Sequence, residues 1–429
     1  MRGQFYPEED IDKAFGNPPA NFRGAPFWAW NGHLDAKTLA SQLDVFKEMG
    51  FGGFHIHARI GLDTPYLGPD FMRLVKESNR RGKELGLQTW LYDEDKWPSG
   101  YGAGRVTKDS AFRTRYLLLS PHTYPDGPFD RHAVSSSRIS RNGEITYLCS
   151  YQVALNGRKL QEYRTIERSQ GNWHAYLIVT GDTPWFNNES YVDTLNPQAT
   201  KRFIQVTYEA YASELGSEFG NSVRTIFTDE PQFFRYENFH TATGNEDAGI
   251  PFSEVLDTRY KALYGQSLLD VLPEIFWMPK KGLSVAKLRY HDLLSEQFSS
   301  SYAKILGQWC EKHNLLLTGH MMGESTLDLQ SRMVGEAMRS YPYFGLPGID
   351  MLAKRREYMT AKQLESAVHQ EGKCGAMCEI YGVTNWDFDF RGHLAEGDWL
   401  AALGITARVP HLSWVTMAGE GQAGLSRSY

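Results

Sequence analysis

The chain has 429 residues, 45 of them basic and 51 acidic, with a formal net charge of -6; that exceeds one ordinary domain but fits a barrel of roughly 250 residues carrying insertions. With charge so nearly balanced and no basic stripe to neutralise a phosphate backbone, nucleic acid is excluded as the expected partner. No apolar run is long enough to cross a bilayer, and the acidic, amphipathic start MRGQFYPEEDIDKAF lacks the pattern of a secretory leader. No membrane partner and a cytoplasmic location are therefore expected.

Taken in chain order, APFWAWNG (25–32) reads as an aromatic strand ending at Asn31 and Gly32. A helix should follow, with Asp35 as N-cap, Leu39, Leu43, Phe46 and Met49 at helical spacing, and Gly50 closing it. GGFHIHAR (52–59) is a second strand, which puts His55, His57 and Arg59 on one face by the two-residue period. Phe71, Leu74, Val75 and Leu85 mark a second helix, and QTWLYDEDKWPSG (88–100) a third strand that ends in Asp93, Glu94 and Asp95. Apolar strands with polar ends, alternating with helices, are the pattern of a parallel sheet under helical cover.

That rhythm stops at about residue 117. EITYLCSYQVAL and WHAYLIV, separated by the turn clusters PDGP, RNGE and SQGN, predict a small antiparallel β-domain over 117–182, between barrel parts 1–116 and 183–429. The barrel then resumes. Asn196 is the expected N-cap and Pro197 the first helical residue, with Phe203, Val206, Ala210 and Tyr211 on the buried face and Leu215 near the helix end. VRTIFTDEP (223–231) is strand four, and 234–264 an excursion of loop and short helix walling a pocket. A long helix over 285–313, strand five in LLLTGHMMGE (315–324), strand six in GIDML (348–352), a helix over 361–371, strand seven in GAMCEIYG (375–382) and strand eight in ITARVPHLS (405–413) complete a (β/α)8 TIM-type barrel of the α/β class. No eighth helix follows MAGEGQAGLSRSY, so either the chain is truncated or the barrel closes in an unusual way. Cys149, Cys310, Cys374 and Cys378 are too scattered for a disulfide framework or a zinc site, and Cys374 and Cys378 read as small core residues.

The chemistry lies at the strand ends, where barrel enzymes keep it. Asp229 and Glu230 end strand four, cut off by Pro231, and Glu379 ends strand seven. Two such glutamates fit glycoside hydrolysis, in which one protonated carboxyl group feeds the leaving oxygen and an ionised one attacks or activates water; alone, each could equally hold a loop. Asp93, Glu94 and Asp95 could bind sugar hydroxyls with Asp229, hold a hard cation such as calcium, or form a solvated loop. Asn31, His57, Arg59, His320 and His411 are further strand-end groups suited to sugar hydroxyls. Aromatic residues make up 13% of the chain, and Trp30, Trp97, Tyr381 and Trp386 are placed to stack on sugar faces.

FWAWNGHLDAKTLASQLDVFKEMGFGG, LYDEDKWPSG, TLNP, FTDEP, CEIYGVTNWDF and VPHLS together resemble barrel glycoside hydrolases akin to glycoside hydrolase family 106, the α-L-rhamnosidase type, over nearly all 429 residues. Members of that family are generally longer, with β-sandwich domains beyond the barrel. The resemblance implies cleavage of a terminal α-L-rhamnoside in a glycoside or oligosaccharide, with Glu230 as acid and Glu379 as base or nucleophile. It also brings calcium dependence, although no ligand set can be matched and the residues themselves require no cofactor. Two other readings compete: a metal-dependent amidohydrolase-like enzyme built on His55 and His57 with His320 and His411, and a non-catalytic carbohydrate-binding remnant, prompted by the edges an open barrel would expose.

Overall fold

The computed structural model describes residues 12, 14–132, 139–239 and 246–417. Seven parallel strands, Phe27–Trp30, Gly53–Ala58, Gln88–Tyr92, Val223–Asp229, Leu316–His320, Leu346–Met351 and Met377–Ile380, lie side by side in chain order. The eighth is split: Ala407–Pro410 pairs with strand seven, while Ser413–Trp414 crosses to strand one, where Trp28 and Ala29 face it in register.

Side chains complete this closure. Asn31 Nδ2 donates to the Thr416 carbonyl at 2.8 Å and its Oδ1 accepts from Thr416 N–H at 3.1 Å, while Gln42 Nε2 donates to the Val415 carbonyl at 2.9 Å. Asn31 is 1% exposed, so it pairs with backbone as a neighbouring strand would and does not present itself to a sugar. Among the described residues no helix follows strand eight, and GEGQAGLSRSY lies outside them; closure comes from the split strand, which removes the open edge that motivated the remnant reading.

The cover helices form where their caps and apolar faces direct. Asp35 Oδ1 accepts from Lys37 and Thr38 N–H, both at 3.0 Å, and opens Ala36–Glu48, which buries Leu39, Leu43 and Phe46; Met49, beyond the last turn, stays exposed. Asn196 caps Pro197–Phe203, which continues through a π-helical turn at Ile204–Tyr208 into Glu209–Leu215. The helix predicted over 285–313 carries a second such turn at Ser299–Ala303. A π turn adds one residue to the helix and shifts the phase of the turns beyond it. Thr207 and Tyr208 are therefore buried, while Val206 and Ala210, assigned inward on an uninterrupted 3.6 period, are half-buried.

A second sheet contains Arg115–Ser120, Gly127–His132, Ile139–Asn156, Lys159–Ile166 and Trp173–Val179. Two of its strands come from outside 117–182: Ala248–Phe252 pairs antiparallel with Arg115–Ser120, and Met278–Pro279 pairs with the start of Lys159–Ile166. The excursion after strand four thus completes this sheet, with helices Glu254–Tyr264 and Leu268–Phe276 between its two strands. No helix among the described residues is long and apolar enough to cross a membrane. All four cysteines are free; Cys378 and Cys310 are buried, but Cys374 is exposed and not a core residue.

Candidate active site at the barrel mouth

Inward-facing Phe27, Trp90, Phe227, Leu346, Met377 and Val409 make an apolar floor inside the barrel. His55 belongs to this layer: it is fully buried, its Nδ1 lies 3.0 Å from the Ala25 carbonyl, and burial drives its pKa down to about 3. Trp30, also fully buried, packs edge-on against Trp28 and Phe71 and is core.

Along strand four the two-residue period points Asp229 inward, on the same side as Phe227. A regular strand would turn the next side chain away. Glu230 instead adopts φ 45°, left-handed backbone that costs a non-glycine residue about 1–3 kcal/mol, and its N–H donates to the His320 carbonyl at 3.1 Å. The alternation breaks there, and both acids join one cluster. In strand register His320 stands opposite Asp229, and Asp350 opposite Glu379.

His320 Nε2 lies 2.9 Å from Glu379 Oε2 and 3.4 Å from Asp229 Oδ1. Carboxylate oxygens of Asp229 and Glu379 come within 4.8 Å of each other and of a His320 nitrogen, and so do those of Glu230 and Asp350. One imidazole is thus flanked by two carboxyl pairs. Tyr92 OH donates to Asp229 Oδ2 at 2.6 Å, Trp97 Nε1 donates to Glu230 Oε2 at 2.5 Å, and His411 Nε2 lies 4.0 Å from Glu379 Oε1.

Burial and the neighbouring charges set the protonation of this cluster. Burial, then the negative charges of Asp350 and Asp229, push Glu230 well above the usual carboxylate range. Burial lifts Glu379 to about 7 against the pull of its His320 hydrogen bond. For His320 burial opposes the charged form, but the Glu379 hydrogen bond and the charges of Asp229 and Asp350 outweigh it, and its pKa lies well above the usual imidazole value. His320 is therefore an imidazolium donating to Glu379. His57 accepts from Arg59 Nη1 at 2.9 Å and packs against Tyr92 with ring centroids 3.7 Å apart and the planes tilted by 33°. Burial and the Arg59 charge lower both His57 and His411, the latter to about 3, and keep them neutral. A protonated carboxyl group and an ionised one meeting at a shared partner can perform general acid–base chemistry.

The strand-three acids have another job. Glu94, fully buried, accepts from five backbone N–H groups, those of Asp95, Gly100, Tyr101, Gly102 and Ala103, at 2.6 to 3.0 Å. Asp93 accepts from Ser99 Oγ at 2.5 Å and from Tyr208 OH, on the first π turn, at 2.8 Å. Neither carboxylate is turned to a sugar or a cation, contrary to expectation. They fold the 94–103 loop, which Ser99 pins to both the N–H and the carbonyl of Asp229, and this delivers Trp97 to Glu230. Asp95 is half-buried and paired with Lys96 Nζ at 2.5 Å. Tyr381 packs on the next helix, its ring 4.6 Å from that of His393, and Trp386 stands 86% exposed on the loop beyond strand seven; neither belongs to the cluster.

Asp350 and Glu324 are the acids that sequence reasoning missed. Asp350 is the next-to-last residue of strand six, and the buried Glu324 accepts from Asp350 N–H at 2.9 Å and Tyr341 OH at 3.1 Å. The one signal was the lone acid in GIDML at a strand's C-terminal end. Among the described residues, the groups able to hold a metal ion are Asp229, His320 and Glu379, and Glu230, His320 and Asp350. Calcium takes six to eight oxygen ligands; each group offers two carboxylates beside an imidazole nitrogen, a mixed donor set short of that number. His55 and His57 are in neither group, and His55 faces a carbonyl in the floor, so the amidohydrolase reading fails on geometry.

No protein-family model and no curated protein matches the sequence. Among solved structures the chain is similar to a rhamnosidase from Novosphingobium sp. PP1Y, with TM-score 0.65 and 11% identity over 96% of this chain. The chain spans 57% of that rhamnosidase's length. Looser overlaps include endo-1,4-β-mannanases from Thermotoga petrophila, TM-score 0.43 at 8% identity over 94% of this chain and 98% of that one, and from Rhizomucor miehei, TM-score 0.44 at 9% identity over 91% and 86%. At such identity the rhamnosidase likeness bears on the fold, a TIM-type barrel.

Proposed function

We propose that the protein is a glycoside hydrolase in which Glu230 is the general acid and Glu379 the base or nucleophile. The observation that carries this reading is the meeting of the two glutamates at His320, the first held protonated by burial and like charge, the second hydrogen-bonded to an imidazolium. Glu230 gives its proton to the departing glycosidic oxygen. Glu379, in its ionised form and hydrogen-bonded to His320, attacks the anomeric carbon or takes a proton from the attacking water. Trp97 fixes one Glu230 oxygen, leaving the other for the leaving group.

The leading substrate is a terminal α-L-rhamnoside in a plant or microbial oligosaccharide. It draws on the resemblance to glycoside hydrolase family 106 and on the rhamnosidase whose barrel this one resembles. The test is a panel of aryl and alkyl glycosides turned over by the wild type, Glu230→Gln and Glu379→Gln. Each substitution should lower kcat by about 10²–10⁴-fold on a poor leaving group; an active wild type matched by both variants would refute the assignment.

A further inference from the structure

The loop that delivers Trp97 to Glu230 has a second aromatic neighbour, which the mechanism above leaves unused. Trp97, whose Nε1 donates to Glu230 Oε2 at 2.5 Å, meets Trp185 with ring centroids 5.2 Å apart and the planes at 74°. Trp185 comes from none of the barrel strands. It lies in the short helical turn Pro184–Phe186, which the chain enters on leaving Trp173–Val179 of the second sheet. Thr183 Oγ1 shapes that turn by accepting from Trp185 N–H at 3.3 Å.

The turn is fastened to the loop that carries Trp97. Asn187 Nδ2 donates to the Trp97 carbonyl at 3.0 Å, and Tyr191, on which Phe186 stacks with centroids 4.3 Å apart, donates its hydroxyl to the Ser99 carbonyl at 2.6 Å. Both indoles are thus held in one relation to each other and to the acid. Even so, Trp185 keeps 37% of its surface exposed, and Trp97 and Glu230 are only half-buried. Two rings nearly at right angles make a corner, in which a flat ring stacks on one indole and meets the other edge-on. Position round the barrel says which half of a substrate that corner faces. The anomeric carbon has to sit at Glu379 on strand seven, and the leaving oxygen within about 2.6–3.2 Å of the free Glu230 oxygen on strand four. Trp97 comes from the loop after strand three, on the flank of strand four away from strands five, six and seven. A glycoside laid from Glu379 to Glu230 therefore carries its leaving group on towards the indoles.

Resting on the reading of Glu230 as the acid, we propose that Trp97 and Trp185 form the subsite for the leaving group and favour one whose first unit is a flat ring, a pyranose or an aromatic. The chemistry common to both is stacking of a ring face, whether the C–H groups of a sugar or a π system, against indole. Trp185 is a specificity-determining residue in this scheme. It reaches the site from the segment that joins the second sheet to the barrel, which gives that sheet a part in choosing the substrate.

The experiment compares kcat/KM of the wild type, Trp185→Ala, Trp185→Phe and Glu230→Gln on three glycosides of L-rhamnose, or of whichever sugar the wild type releases fastest. One is the methyl glycoside, one the benzyl glycoside, and one a disaccharide with glucopyranose as leaving group. Methyl and benzyl oxygens leave about equally badly, so their ratio reads ring binding and not acid help. In Trp185→Ala the ratio of a ring-bearing substrate to the methyl glycoside should fall by about 3–10-fold, mostly through KM, and Trp185→Phe should restore most of it. A fall confined to the benzyl glycoside assigns the subsite to aromatic leaving groups, and one confined to the disaccharide assigns it to sugars. Ratios left unchanged, or all three substrates slowed alike, would overturn the proposal. Trp185→Leu, which keeps apolar bulk without a ring face, should repeat the result with an unaltered melting temperature if truncation to alanine loosens the fold. Glu230→Gln separates the two claims. If it keeps its rate on the methyl glycoside, the assignment of the acid falls while a lowered ratio in Trp185→Ala still upholds the subsite; if it loses that rate while the ratios in Trp185→Ala stay put, the subsite alone falls. A wild type that cleaves none of these glycosides overturns both.

Discussion

Strands three and four lie side by side, and each ends in two consecutive acids: Asp93 and Glu94 on one, Asp229 and Glu230 on the other. Beyond Glu94 the chain runs through Gly100, Gly102 and Gly104, and the loop curls until five N–H groups converge on one carboxylate. Beyond Glu230 comes Pro231, which has no N–H to offer, and the acid keeps a single side-chain donor, the Trp97 indole. The donors supplied by the residues after each acid therefore separate a structural carboxylate from a reactive one, while density of negative charge does not.

Substitution is the strongest way to break this comparison. Glu230→Gln should remove about 10²–10⁴-fold of kcat on poor leaving groups with little change in Tm. Glu94→Gln turns an amide N–H towards inward-pointing backbone donors and should cost about 3 kcal/mol, a fall of several degrees in Tm. If Glu94→Gln melted as the wild type and lost turnover as Glu230→Gln does, the division between the two strand ends would be wrong.

Protonation sharpens the comparison. A rate that needs Glu379 ionised rises as pH climbs through its value of about 7, and a rate that needs Glu230 protonated falls only at higher pH, because that group lies well above the usual range. The profile of kcat/KM should thus be a bell with its acid limb near pH 7. A profile already falling through pH 7 would exchange the two roles. A smaller effect is expected of Trp97→Phe. The indole N–H favours the ionised form of Glu230, so its loss should push the alkaline limb upward by a fraction of a unit and slow turnover by about tenfold; a downward shift would remove Trp97 from the site. The smallest effect should come from dialysis against a chelator, which should leave the rate within about twofold if the carboxylates around His320 hold no calcium ion; a loss of activity restored by added calcium would place one there.

The barrel was legible because its signals are local. Each strand is a short apolar run, and the Asp35 and Asn196 caps announce their helices within a few residues. Phase was less so: a π turn looks like any other helical stretch, and the inward turn of Tyr208 comes from one added residue that propensity does not mark. Asn31 at a strand end looks like a ligand for sugar, and only the crossing of strand eight to strand one turns it into backbone support. Asp350 escaped notice because a lone acid in GIDML carries no cue of its own, and its importance depends on which strands neighbour it. Convergence on His320 is likewise a property of register between strands far apart in sequence.

The left-handed backbone at Glu230 places two demands on one position. Glycine, asparagine and aspartate adopt that geometry most readily, but glycine has no side chain, asparagine no proton to give, and aspartate a reach shorter by one carbon. A glutamate there accepts a conformation it would not choose for itself and gains length. Any sequence drifting at this position must therefore satisfy a shape filter and a reactivity filter together, and few of the twenty residues pass both.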